Sequence, residues 1–165
     1  MVSEEIRERA WELHQLIIGS STSAAWLASS GGTRLPEWQH DVLAKILTLT
    51  YDQEILYLST ALPDAEDWDI IAFTDSSVVQ VVMNRVDGKS PHVEASAFPR
   101  SSLESLELLD VAQIPEDESL WPSDLTLIGH YRSATVTLPL DNFASQGNKR
   151  ELVRLLTSLL QDIGH

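Results

Sequence analysis

The chain has 165 residues, 43% of them apolar and 22% charged, a balance that suits one folded domain and excludes disorder throughout. Its net charge of −14, with eleven Lys and Arg that form no patch beyond Lys149 and Arg150, argues against partners held through phosphate backbones or anionic lipid. The absence of cysteine excludes disulfides, thiolate zinc sites and cysteine nucleophiles.

A first amphipathic helix is expected over residues 3–18, where Ile6, Ala10, Leu13 and Ile17 recur at helical spacing and fall on one stripe. Ser3 suits the N-cap, and Glu4 and Glu5 are favourable at the positive end of the helix dipole. This start has the charge pattern of a helix and not of a signal peptide, and no later segment approaches a membrane span. The expected address is therefore the cytoplasm, without membrane insertion. Residues 19–33 are rich in Ser, Gly and Ala and read as a linker pinned by Trp26. Pro36 then suits a first helical turn, and Trp38, Val42, Ile46 and Leu49 form the stripe of a second helix.

After Tyr51 the period changes. Residues 54–61 hold a short apolar run rich in strand formers, closed by Pro63 and the acidic turn at 64–67. Ile70, Ile71, Ala72 and Phe73 and the Val-rich run 78–83 flank Asp75, Ser76 and Ser77, which predicts a hairpin ending at the Asp87–Gly88 turn. His92, Glu94 and Ser96 alternate with Val93, Ala95 and Ala97, the period of a strand with one wet face. A further strand is expected over 103–111, with Leu106 and Leu108 on one face and Glu107 on the other. Residues 112–123 form a loop with Trp121 as its anchor, and 125–128 with 134–138 form a second hairpin across Gly129 and His130. Five or six strands in succession imply an antiparallel sheet and exclude a doubly wound α/β fold. The last element is a helix from about Asn148, with Glu151 as in a capping box. It carries Leu152, Val153, Leu155, Leu156, Leu159, Leu160 and Ile163 before Gly164.

This order resembles the pleckstrin-homology-like (PH-like) fold. The run Ile70, Ile71, Ala72, Phe73, Thr74, Asp75, Ser76, Ser77, Val78, Val79 is similar to the hairpin of bacterial PH-like domains, in which an apolar strand ends in Thr-Asp or Thr-Asn and a second strand follows. Phe98, Pro99, Arg100, Ser101, Ser102, Leu103 and Glu104 resemble the next signature, an apolar-Pro turn leading into a strand. The resemblance spans about residues 53–163. It implies an α+β fold, an antiparallel PH-like sheet or barrel closed by a C-terminal helix. Two N-terminal helices in a 1–50 extension then precede a 51–165 domain. It also implies a binding or assembly module without catalytic residues. Bacterial members often carry an Arg shortly after the Thr-Asp pair; Ser77 stands there, which weakens the case for an anionic ligand at that hairpin.

Chemical constellations are sparse. Glu37, His40 and Asp41 place two ligand types on neighbouring helix faces, but one such pair falls short of a metal site. His92 and Glu94 have the His-x-Glu spacing of zinc deaminases without the second ligand motif. The Ser/Thr/Gly runs at 20–23 and 29–33 lack the lysine of a phosphate loop, and no Gly-x-Ser-x-Gly elbow occurs. No cofactor or metal is expected, and the chain is read as a non-enzyme.

The favoured expectation is a module that binds protein, above all itself. Trp11 and Trp26, together with Leu156 and Leu160 on the wide stripe of the last helix, are its candidate interface. The alternative is a small-ligand regulatory domain with a pocket between sheet and helices, using Tyr57, His130 and Tyr131, with Tyr51 beside them. A metal-dependent enzyme built on Glu37, His40 and Asp41 ranks last.

Overall fold

In the computed structural model, which describes residues 3–30, 34–63, 67–84, 90–116, 121–122 and 124–163, regular structure begins where the apolar period is set. Helix α1 (Glu4–Ser20) is capped by Ser3, whose hydroxyl accepts from the Ile6 amide, and it buries Leu13 and Ile17. The Ser/Gly/Ala-rich stretch is more than a linker. It folds a one-turn helix α2 (Ala25–Ala28) that seats Trp26 in the core. The Trp26 carbonyl accepts from the fully buried Gln39 amide, and Ser30 Oγ bridges that carbonyl and Gln39 Oε1. Helix α3 (Glu37–Thr50) thus satisfies the end of α2, and Pro36 is its N-cap rather than part of its first turn.

Among the described residues seven strands follow with no long helix between them. β1 (Tyr57–Ala61), β2 (Trp68–Phe73), β3 (Ser77–Asn84) and β4 (His92–Pro99) form one antiparallel sheet in that order. A 3-10 turn (Arg100–Ser102) leads into the second sheet of β5 (Leu103–Val111), β6 (Leu125–Tyr131) and β7 (Thr135–Leu138). Helix α4 (Gln146–Asp162) closes the order. The two ladders are separate, so the closed barrel among the expectations does not form.

Alternation along β2 and β3 divides the core in two. Ile70, Ala72, Val79 and Val81 lie against Leu13, Ile17, Val42 and Ile46 of the helices. Ile71, Phe73 and Val78 turn the other way, onto Leu127, Val136 and Leu138 of the second sheet and Leu152, Leu155 and Leu159 of α4. The first sheet is therefore a middle layer, with β1 and β2 buried on both faces and β4 keeping one wet face, which explains the unbroken apolar run from Ile70 to Phe73. The N-terminal helices share a core with the strands.

The β2–β3 turn is polar and tightly tied. Thr74 Oγ1 accepts from the amides of Ser76 and Ser77, and its own amide donates to the Ser77 carbonyl. At the other end of the sheet, α1 meets α4. Ser145, the N-cap of α4, accepts from the Asn148 amide and donates to the Gly19 carbonyl, and a bridge joins Ser21 to Ala144.

Two boundaries differ from expectation. Gly129 and His130 lie inside β6, not at a turn, because Gly129 is where the Tyr131 ring and Leu103 pack: a Cβ there would stand 3.0 Å from the Tyr131 ring. Helix α4 begins at Gln146 on Ser145, so Asn148 is a buried first-turn residue and not the cap. The turns expected at 64–66 and 87–88, the glycines at 31–32, the acidic residues at 117–118 and the stop at Gly164 lie outside the described residues.

Candidate functional site

The three residues proposed for a small-ligand pocket do not converge. Tyr57 and Tyr131 are buried in the second core, and burial pushes both phenols above their ordinary range. The Tyr57 hydroxyl donates to Asn148 Oδ1 at 3.1 Å, which ties β1 to α4. The Tyr131 hydroxyl has no partner among the described groups, and its ring meets Phe98 edge-on at 5.0 Å. His130 is on the opposite face of β6, where its Nε2 lies 3.4 Å from Glu107.

The candidate interface residues also divide. Trp26 is 1% exposed and unavailable to a partner, whereas Trp11 is 61% exposed. These two flank His14: Trp26 Nε1 donates to His14 Nδ1 at 3.0 Å, and Trp11 stacks obliquely on the same imidazole. The aromatic contacts continue from Trp26 to Trp38 and from Trp38 to Trp68, so four of the five tryptophans brace one layer. Burial pushes the His14 pKa down. On α4, Leu156 is half-buried and Leu160 exposed.

The helix-borne metal candidates are committed elsewhere or open to water. Asp41 pairs with Lys45 at 2.9 Å, while Glu37 and His40 are exposed. Among the described residues no three His, Asp or Glu side chains are placed to hold an ion, and no helix is long and apolar enough to cross a membrane.

One buried cation went unnoticed in the sequence. Arg100, the residue after Phe98 and Pro99, is 2% exposed and spans three elements. Its Nη1 donates to the Thr74 carbonyl at 2.9 Å, its Nε to Asp162 at 2.9 Å and its Nη2 to Ser158 at 2.6 Å. The hairpin that lacks a basic residue at Ser77 thus has one delivered from the start of β5. Each of its three nitrogens donates to the protein, so the guanidinium fastens α4 to the hairpin.

Among the described residues, two open surfaces carry the largest apolar exposure. Along α1, three shallow depressions of about 400, 270 and 480 Å³ lie end to end. The first and second share Arg9 and Leu47, and the second and third share Leu16, Glu54 and Ile55. Tyr51 closes one end at a positive φ of 50°, strained for a non-glycine residue, with its carbonyl accepting from Arg9. The second surface is the far end of β5, where Leu108, Leu109 and Val111 are all exposed, as are Ile114 and Trp121 beyond it. Comparison with known proteins finds no matching family model, no similar curated protein and no similar solved structure.

Proposed function

We propose that this chain is a non-catalytic PH-like module that binds protein, foremost a second copy of itself, through the apolar end of β5 and the outer edge of α4. The element order supports the PH-like reading: a four-stranded and then a three-stranded antiparallel sheet, with a C-terminal helix packed on both.

The observation that carries the binding surface is the exposure of Leu108 at 56% on a core-facing position. Leu108 pairs with Leu127 and Val111 with Leu125, and both β6 partners are buried. Directly paired residues point to the same side of a sheet, so Leu108 and Val111 face inward and still meet solvent. α4 does not reach them. The helix row that contains Lys149, Leu156 and Leu160 runs on this side, since Lys149 pairs with Asp124 beside the start of β6. Leu160 on that row is exposed and Leu156 half-buried, so apolar side chains stay open on both elements.

The backbone edge of β5 is a poor dock. Glu104 and Leu109 are extra residues at two bulges, which interrupt the ladder and twist the edge away from a new strand. Contact is therefore made by side chains. Light scattering coupled to size exclusion tests it: the wild-type chain is expected to pass from monomer to dimer across micromolar concentrations, and Leu108→Asp with Leu160→Asp to stay monomeric. Because each copy carries −14, added salt should favour the dimer by screening repulsion. A strict monomer at every concentration and salt level overturns the reading.

A further inference from the structure

We infer that the groove along α1 receives a basic, amphipathic helical segment of another protein. Its floor is apolar: Leu13, Leu16, Leu47 and Ile55 line it, with Ile6 at one end and Leu58 at the other. From Ile6 to Ser20 the groove follows α1 for about 20 Å, the length of roughly fourteen helical residues. Three linked depressions in a row suit a helix that inserts side chains one turn apart, as helix-in-groove complexes do.

Charge selects the occupant. Glu12 and Glu54 stand on the rim with no ion-pair partner among the described residues, and Glu151 adds a third carboxylate, shared only with the exposed Arg154. The single basic residue of the lining, Arg9, is held to the Tyr51 carbonyl. An acidic segment would meet three like charges. A segment with Lys or Arg flanking its apolar stripe answers both floor and rim. The groove is separate from the β5 surface, so either can fail alone.

The probe is a synthetic, fluorescein-labelled Lys/Leu peptide of about fourteen residues, with leucines at i, i+3, i+4 and i+7, matched by a Glu/Leu peptide of the same pattern. Anisotropy should show saturable binding of the first and none of the second, weakening as salt rises. That is the opposite of the salt response expected of the dimer. Glu12→Lys with Glu54→Lys should weaken binding about tenfold, and Leu16→Asp comparably. Glu94→Lys with Glu116→Lys, equal in charge but distant, should leave it unchanged. Amide shifts should map to α1 and residues 53–58, and should persist in the Leu108→Asp, Leu160→Asp chain. Equal loss in both charge-reversal pairs, binding of the acidic peptide, shifts at β5, or a wild-type dimer joined through α1 each overturns the inference.

Discussion

Tyr131 carries its hydroxyl into the second core, where burial raises its pKa, the nearby Arg100 lowers it and Asp162 raises it further. A buried donor without a partner costs about 1–3 kcal/mol. Tyr131→Phe is thus expected to hold or raise stability, by up to about 1 kcal/mol, in urea unfolding. A marked loss would mean that the hydroxyl is bonded after all. His14 makes the opposite case. Its Nδ1 accepts from Trp26, so the ring proton sits on Nε2, and protonation would set two donors face to face. The folded pKa lies below the unfolded value of 6.5, so the unfolded chain takes up the proton first. The His14 contribution is complete above that value and is lost as pH falls through the folded pKa. Urea midpoints at neutral and mildly acidic pH should show this decline, and His14→Gln should flatten it.

At the scale of elements, Arg100 joins the β2–β3 hairpin, the turn into β5 and the last turn of α4. Removing one member of a buried pair typically costs 3–5 kcal/mol; Asp162 retains some access to water, so Arg100→Met should cost about 3 kcal/mol. Hydrogen exchange should quicken first in the last turn of α4. The elements themselves were largely legible. The period of α1, the Val-rich hairpin and the alternation of β4 mark their own faces, and Ser3 marks its own cap. What lay hidden depends on contacts distant in sequence. Gly129 looks like a turn until Tyr131 and Leu103 pack over it, and α2 is too short to show a period without Gln39 to satisfy it. Arg100 reads as one more surface charge until Asp162 arrives from 62 residues away. The open end of β5 was equally unreadable, because alternation reveals which face a leucine occupies but not whether another element covers it.

For the whole molecule, the middle sheet decides what can be separated. A division into 1–50 and 51–165 cuts through the first core: without the helices, Ile70, Val79 and Val81 would meet water. The 51–165 fragment is therefore expected to aggregate or remain molten, seen as lost near-ultraviolet dichroism and dye binding, whereas the full chain unfolds in one transition by every probe. A freely soluble, cooperatively folding fragment would refute that coupling. Burial on both faces has a consequence for strand pairing too. In a half-wet sheet a one-residue slip is forbidden because it drives apolar side chains into water. In β2 the same slip would exchange Ile70 and Ala72 for Ile71 and Phe73, one greasy set for another, and only the exchange of Trp68 for Asp69 would carry a charge inward. The apolar run by itself does not fix the register, so the duty falls to polar groups that tolerate a single alignment, Asp69 with its partner Gln80 among them. Chief among them is Thr74, whose hydroxyl collects the amides of Ser76 and Ser77 and whose carbonyl anchors Arg100.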